Sequence, residues 1–290
     1  MEQIKILIAG CGYVGAALGV DLLKSGAEVW GLRRDAAALE KLKSLGIKPL
    51  PADLLDPKSL ANLPPVDFVV MCQALSRKTD SYQKTYCEGT RHLLSALKNE
   101  KPKKLVLISS TSVYSVHDGS WVDESTDPGL AGYLTKEAGD NAKCLLEAEK
   151  AVLVSGIPSV VFRLGGIYGP GRNRIKPLKE GRITPSFSEI YTNRIHVDDV
   201  VRGIELLMEN GKSGEIYLGV DDEPCTQKEF YGWLCDKLSL KPARDKTAVD
   251  TVIVRASNKR CSNAKLKALG MKFKYPTFRE GYEFILTSFN

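Results

Sequence analysis

The first 110 residues alternate short apolar runs with longer stretches whose apolar positions recur at helical spacing. Lys5 to Ala9, Glu28 to Leu32, Phe68 to Cys72 and Lys104 to Ser109 read as buried strands, with helices at Tyr13 to Ser25, Ala36 to Leu45 and Ser81 to Asn99. That rhythm makes a parallel sheet covered on both faces, with right-handed crossovers. A weaker strand, Lys48 to Ala52, precedes Asp56-Pro57, an N-cap followed by proline at the first helical position. Beyond Ser110 a loop with Asp123, Glu124 and Pro128 leads to a helix from about Asp140 to Ser155 and a strand from Ser159 to Leu164. After Gly165, turns rich in Gly, Pro and Arg precede a helix from about Asp198 to Asn210 and a strand from Glu215 to Gly219. Helices near Gln227 to Leu238 and Ser262 to Leu269 follow. The expected architecture is α/β: a doubly wound parallel sheet of Rossmann type over residues 1–170, with a small C-terminal lobe over 171–290. The helix at 198–210 and the strand near 215–219 are expected to rejoin the sheet.

The chain has 290 residues, 43% hydrophobic and 26% charged, which is ordinary folded composition. No apolar stretch approaches the roughly 20 residues of a transmembrane helix, and the opening lacks a signal-peptide pattern, so a cytoplasmic protein without membrane contact is expected. The seven cysteines are scattered without a Cys-x-x-Cys pair, as reduced thiols would be. His92, His117 and His196 stand too far apart to suggest a metal site, and none is expected. Up to Lys150 there are 19 basic and 19 acidic residues, and from Ala151 onward 22 against 16, so the whole net charge of +6 lies in the second half. Such a half can steer an anionic small-molecule substrate or be a solvated surface. No dense basic run with interleaved aromatics is present, so nucleic acid is not an expected partner.

Gly10-Cys11-Gly12-Tyr13-Val14-Gly15 follows a strand and opens a helix, the context that gives a Gly-x-Gly-x-x-Gly string meaning. Gly10 permits the tight turn, Gly12 lets a pyrophosphate approach the backbone, and Gly15 lets helix and strand pack closely. The helix end, with Tyr13 and Val14, offers unpaired N–H groups to phosphate. Where NAD-specific sites place a carboxylate for the ribose 2′-hydroxyl, this chain has Arg33-Arg34. A guanidinium grips a 2′-phosphate with two bonds, so NADP(H) is favoured over NAD(H); a solvated arginine pair is the alternative. Asp53 reads as a contact to the adenine edge or as a turn residue. Leu54, and Gln73 with Ala74 after the fourth strand, complete the expected cofactor set.

Three further segments carry a family resemblance: Ile108-Ser109-Ser110-Thr111-Ser112-Val113-Tyr114, Arg163-Leu164-Gly165-Gly166-Ile167-Tyr168-Gly169-Pro170-Gly171, and Arg194-Ile195-His196-Val197-Asp198-Asp199-Val200. With the glycine loop, they make the chain resemble the extended short-chain dehydrogenases/reductases, which include nucleotide-sugar epimerases and dehydratases. The resemblance implies that Ser110 hydrogen-bonds the substrate, and that a Tyr-x-x-x-Lys pair one helix later moves the proton and holds the nicotinamide ribose. Aligning that helix on Glu147 puts Lys143 at the lysine position, also on the cofactor, and Gly139 where the tyrosine belongs. Tyr133 is the nearest tyrosine, but four residues on stands Glu137. Tyr86 replaces an asparagine common in the family and is a second candidate proton donor. The chain therefore resembles the atypical members that lack the catalytic tyrosine.

The same resemblance places the substrate near Ser112, Tyr86, Arg172, Arg194 and His196, with Arg174, Lys176, Lys179 and Arg182 in the pocket-building segment. Quieter readings exist: Asp198 as an N-cap, His196 as a core histidine, Ser110 and Ser112 as strand-end caps, and the arginines as an exposed loop. Two functions follow from different classes. One is an NADP(H)-dependent reductase or epimerase/dehydratase-like enzyme acting on a carbonyl or nucleotide-sugar substrate. The other is a non-catalytic NADP(H) redox sensor, which needs only the glycine loop and Arg33. A homodimer could form through the Ser81 to Asn99 and Asp140 to Ser155 helices, as family dimers do.

Overall fold

The computed structural model describes residues 3–75, 81–240 and 258–287. The first 110 residues give β1 (Lys5–Ala9), α1 (Tyr13–Lys24), β2 (Glu28–Arg33), α2 (Ala36–Ser44), β3 (Lys48–Pro51), β4 (Phe68–Met71), α3 (Gly89–Leu97) and β5 (Lys104–Ser110). Next come β6 (Trp121–Val122), α4 (Lys136–Leu153), β7 (Ser159–Leu164), β8 (Gly166–Tyr168), α5 (Ile175–Lys179), β9 (Tyr191–Thr192) and β10 (Arg194–His196). The chain continues through α6 (Val197–Asn210), β11 (Ile216–Gly219), β12 (Cys225–Thr226), α7 (Gln227–Lys237) and β13 (Arg260–Cys261), then closes with helices Ala264–Ala268 and Phe278–Thr287.

Seven strands form one wholly parallel sheet in the order β11-β7-β5-β4-β1-β2-β3. The chain winds outward from β1 through β2 and β3, then crosses back to β4 and winds the other way. The carboxyl ends of β1 and β4 thus flank the point where ligands bind in open α/β sheets. Both faces are covered, and the strand period of two divides the core. Ile6 and Ile8 pack with Leu18, Val70 and Val106 on one face, while Leu7 and Ala9 pack with Met71, Leu93, Leu105 and Leu107 on the other.

Local chemistry sets several boundaries. Asp56 accepts from the Lys58 amide and Pro57 opens a short 3₁₀ turn, as its sequence predicts. The helix expected from Ser81 to Asn99 is instead a π-helical turn, Gln83–Glu88, running into α3. The α4 helix begins at Lys136 rather than near Asp140, because Thr135 caps the Ala138 amide. β11 pairs with β7 at the sheet edge. The remaining lobe packs around Tyr168, Ile175, Phe230, Leu234, Phe278 and Tyr282. All seven cysteines are free thiols. Among the described residues, no helix is long and apolar enough to cross a membrane.

A buried ion pair ties α4 to the sheet. The Arg163 guanidinium on β7 donates from Nε and Nη2 to the Glu149 carboxylate at 3.0 and 2.6 Å, and from Nη1 to the Tyr114 hydroxyl at 2.7 Å. Ser109 Oγ donates to the same carboxylate. Removing one partner strands an uncompensated charge, which costs about 3–5 kcal/mol, whereas replacing both with apolar side chains is often neutral. Glu149→Ala is therefore expected to lower unfolding stability by about 3–5 kcal/mol, and Glu149→Leu with Arg163→Met to recover most of it, read from urea unfolding. Equal losses in the single and double variants would contradict this account.

Candidate functional site

At the carboxyl ends of β1, β2, β4, β5 and β7 lies a cleft of about 820 Å³. Its head is the loop between β1 and α1. Gly10 has φ +81°, and a Cβ there would lie 2.6 Å from the Gln73 Cα, so both conformation and space require glycine. A Cβ on Gly15 would meet the Ile8 side chain at 2.8 Å, the close packing of α1 on β1 expected of the third glycine. No side chain caps the amides of α1, and its first turn holds no acid. Those N–H groups and the positive end of the helix dipole are available to an anion.

Arg33, at the end of β2, brings Nη1 within 3.2 Å of where a Gly12 Cβ would stand. Arg34 sits 3.7 Å from the Asp53 carboxylate, whose Oδ1 accepts from the Leu55 amide at 2.9 Å. Gln73, just beyond β4 and only 7% exposed, donates to Thr90 Oγ1 at 2.8 Å, while its Oε1 has no partner. An uncapped helix end, two guanidiniums and a buried unpaired amide oxygen fit a dinucleotide: phosphates for the amides and cations, a hydroxyl for the oxygen.

The far end of the cleft is formed by β5, the π-helical turn and the β7–β8 connection. Ser110 lines it, its Oγ accepting from the Ser112 amide at 3.1 Å, which leaves the hydroxyl proton free to be donated. Tyr82 and Tyr86 line it too, with ring centres 5.2 Å apart. They belong to the wide turn that the extra residue of a π-helix creates, a distortion frequent at functional sites. Burial, and then the neighbouring Tyr82, push the Tyr86 phenol up to about 12. Leu145, Ile108 and Ile167 add apolar wall.

Most of the residues expected from the sequence come together here: Gly10, Gly12, Tyr13, Val14, Arg33, Arg34, Asp53, Leu54, Gln73, Ala74, Tyr86, Ser110 and Arg172. Others lie elsewhere. Lys143 is exposed, on the outer side of α4, and does not line the cleft; Leu145 does. Glu147 is likewise exposed, and the acid facing the sheet is Glu149. Counting back from Glu149 puts Leu145 at the lysine position and Asn141 at the tyrosine position, two residues later than Glu147 suggests. Tyr133 donates its hydroxyl to the Ser112 carbonyl at 2.8 Å and is not among the cleft walls; Ser112 itself is exposed outside them.

The third motif makes bonds within the protein and does not line the cleft, though the His196 Nε2 has no partner. His196 is fully buried, and its Nδ1 accepts from the Asp198 amide at 3.1 Å, so histidine, rather than Asp198, caps α6. Burial holds this imidazole down near 4 and therefore neutral. Arg194 lies 3.8 Å over the Phe230 ring and donates to Cys225 Sγ, inside the lobe. Asp199, which sequence reasoning passed over, accepts from the Lys274 and Tyr275 amides at 2.6 and 3.0 Å. Tyr82 and Leu145 were also missed. Tyr82 had a signal, since it precedes Tyr86 by one helical turn; Leu145, an apolar residue on an amphipathic helix, had none.

Several known proteins are similar to this chain. The chain is 24% identical to protein YeeZ of Escherichia coli over 279 residues, covering 94% of this chain and 96% of that one. It is 28% identical over 251 residues to a 4-hydroxy-2-methyl-3-oxo-4-farnesyl-3,4-dihydroquinoline-1-oxide ketoreductase of Stigmatella aurantiaca, covering 80% and 72%. A solved structure from Methylobacillus flagellatus, described as an NAD-dependent epimerase/dehydratase, superposes with a TM-score of 0.79 at 31% identity over 99% of both chains. A UDP-glucuronic acid 4-epimerase of Bacillus cereus solved with NAD shares the fold, with a TM-score of 0.76 at 21% identity, covering 99% of this chain and 100% of that one. The family model for NAD dependent epimerases/dehydratases matches residues 6–218, from the first strand through the last strand of the sheet, and the chain therefore belongs to that family.

Proposed function

We propose that this protein binds NADP(H) in the cleft and reduces a carbonyl group of a small molecule. The observation that carries this reading is the Arg33 guanidinium lying against Gly12, at the head of a cleft whose other end holds Ser110 and Tyr86. When bound, the dinucleotide supplies a hydride. The α1 amides hold its phosphates, and Arg33 supplies a charge-assisted pair of bonds to a 2′-phosphate that NAD(H) lacks. Ser110 donates a hydrogen bond to the substrate oxygen and orients it, keeping its own proton. Tyr86 delivers the proton that completes reduction. Burial pushes this phenol up to about 12, so it carries its proton at neutral pH and stands in the donor form. That the S. aurantiaca relative is a ketoreductase supports this direction.

A second reading is a redox sensor that binds the dinucleotide without turnover. It is favoured by Leu145, which puts an aliphatic side chain where the family resemblance implies an ammonium, and by Tyr133 being tied to Ser112. No tyrosine of this chain is followed four residues later by lysine. NADPH oxidation against a panel of carbonyl compounds and nucleotide sugars separates the readings: the sensor binds NADPH and transfers hydride to none of them.

Two outcomes are expected. Arg33→Ala raises the Kd for NADPH about 10- to 100-fold, from the loss of roughly 1.5–3 kcal/mol of charge-assisted bonding, and leaves that for NADH within about threefold. Equal loss for both cofactors would refute the 2′-phosphate assignment. Tyr86→Phe lowers NADPH-dependent turnover by about 10² or more with NADPH binding unchanged, measured by steady-state kinetics and calorimetry, and full activity in that variant would remove Tyr86 from the chemistry.

A further inference from the structure

The turn after β8 reaches back to touch the first residue of α1. Gly169 and Arg172 exchange two backbone hydrogen bonds, at 2.9 and 3.0 Å, which close the turn. Tyr13 donates its hydroxyl to the Pro170 carbonyl at 3.0 Å. A Cβ on Gly169 would collide with that hydroxyl at 2.6 Å, so the turn is pressed onto the ring. The exposed Arg172 then lays its guanidinium 5.6 Å from the Tyr13 ring centre and lines the same cleft as Gly10, Gly12 and Arg33. Among the described residues no carboxylate pairs with Arg172; Asp198, whose charge Tyr13 feels, is held by Lys274 at 2.8 Å.

Two cations therefore stand near the uncapped amides of α1: Arg33 against Gly12, and Arg172 against Tyr13. The buried, unpartnered Gln73 Oε1 in the same cleft independently marks the space as one a polar ligand completes. Arg172 thus stands beside the phosphate-binding end of the helix.

We propose that Arg172 is a cofactor-binding residue, donating to the pyrophosphate of the bound dinucleotide, rather than a substrate-binding one. Because Arg172 belongs to the turn that follows β8, this contact straps that turn to the cofactor. The proposal rests on the reading that the glycine loop binds a dinucleotide, and its test separates the two.

Calorimetry with three probes decides the matter: NADPH, ADP-ribose, which keeps the pyrophosphate but has neither nicotinamide nor 2′-phosphate, and adenosine 2′-monophosphate, which has no phosphate on the 5′ side. Arg172→Gln is expected to weaken NADPH and ADP-ribose equally, by about 10- to 100-fold, and to leave the 2′-monophosphate within about twofold. Arg33→Ala should instead weaken the 2′-monophosphate and NADPH more than ADP-ribose. Arg172→Lys, which keeps the charge but loses the planar fork, should fall between wild type and Arg172→Gln, and it serves as the test should the glutamine variant fail to fold. Unchanged ADP-ribose binding in the Arg172 variants overturns the strap while leaving the glycine-loop site intact. Equal weakening of all three probes by Arg172→Gln also overturns it, since a pyrophosphate contact cannot act on adenosine 2′-monophosphate. If the unsubstituted protein binds none of the three, the dinucleotide site itself is refuted.

Discussion

A carboxylate and a guanidinium withdrawn from water decide how the longest helix sits on the sheet. Burying Glu149 and Arg163 is tolerable only when every charged oxygen and nitrogen finds a partner, and Ser109 and Tyr114 complete the set. That requirement fixes the rotation of α4. Leu145, one turn before Glu149, is thereby turned to the cleft, and Lys143 is turned to solvent. The same network holds the end of β5, so Ser110 projects beside the tyrosines of the π-helical turn. The far end of the cleft is thus set by an ion pair that does not itself line it.

The two ends of the cleft are built on different physics. The cofactor end is backbone and formal charge: glycines that admit a phosphate, an uncapped helix terminus, and arginines from β2 and the β8 turn. The other end is largely apolar, with hydroxyls set among Leu145, Ile108 and Ile167. Burial in that apolar surround keeps the Tyr86 phenol protonated.

Several residues of the third motif make bonds within the protein. His196 spends its Nδ1 on an amide of α6, and Asp199 spends both oxygens on the backbone at Lys274 and Tyr275. These bonds dock the segment leading to the closing helix Phe278–Thr287 against α6. Arg194, half-buried, lies over the Phe230 ring. Polar residues at the start of a helix satisfy unpaired amides wherever such ends are buried, and a sequence does not distinguish that use from contact with a ligand.

By itself the sequence determined what depends on near neighbours along the chain. The five N-terminal strands, the helices between the first of them, the glycine loop, the Asp56-Pro57 start and Arg33 at the tip of β2 all follow from periodicity and local turn chemistry acting within a few residues. The two-residue strands β6, β9, β12 and β13 were not legible, because such bridges have no period and exist only where another segment arrives. Nor was the rotation of α4, since Glu147 and Glu149 are alike in sequence and only the position of Arg163 on β7 tells them apart. The π-helical turn, the burial of His196 and the contact of Arg172 with Tyr13 belong to the same class: each is fixed by residues distant in the chain, which only the packed tertiary structure brings together.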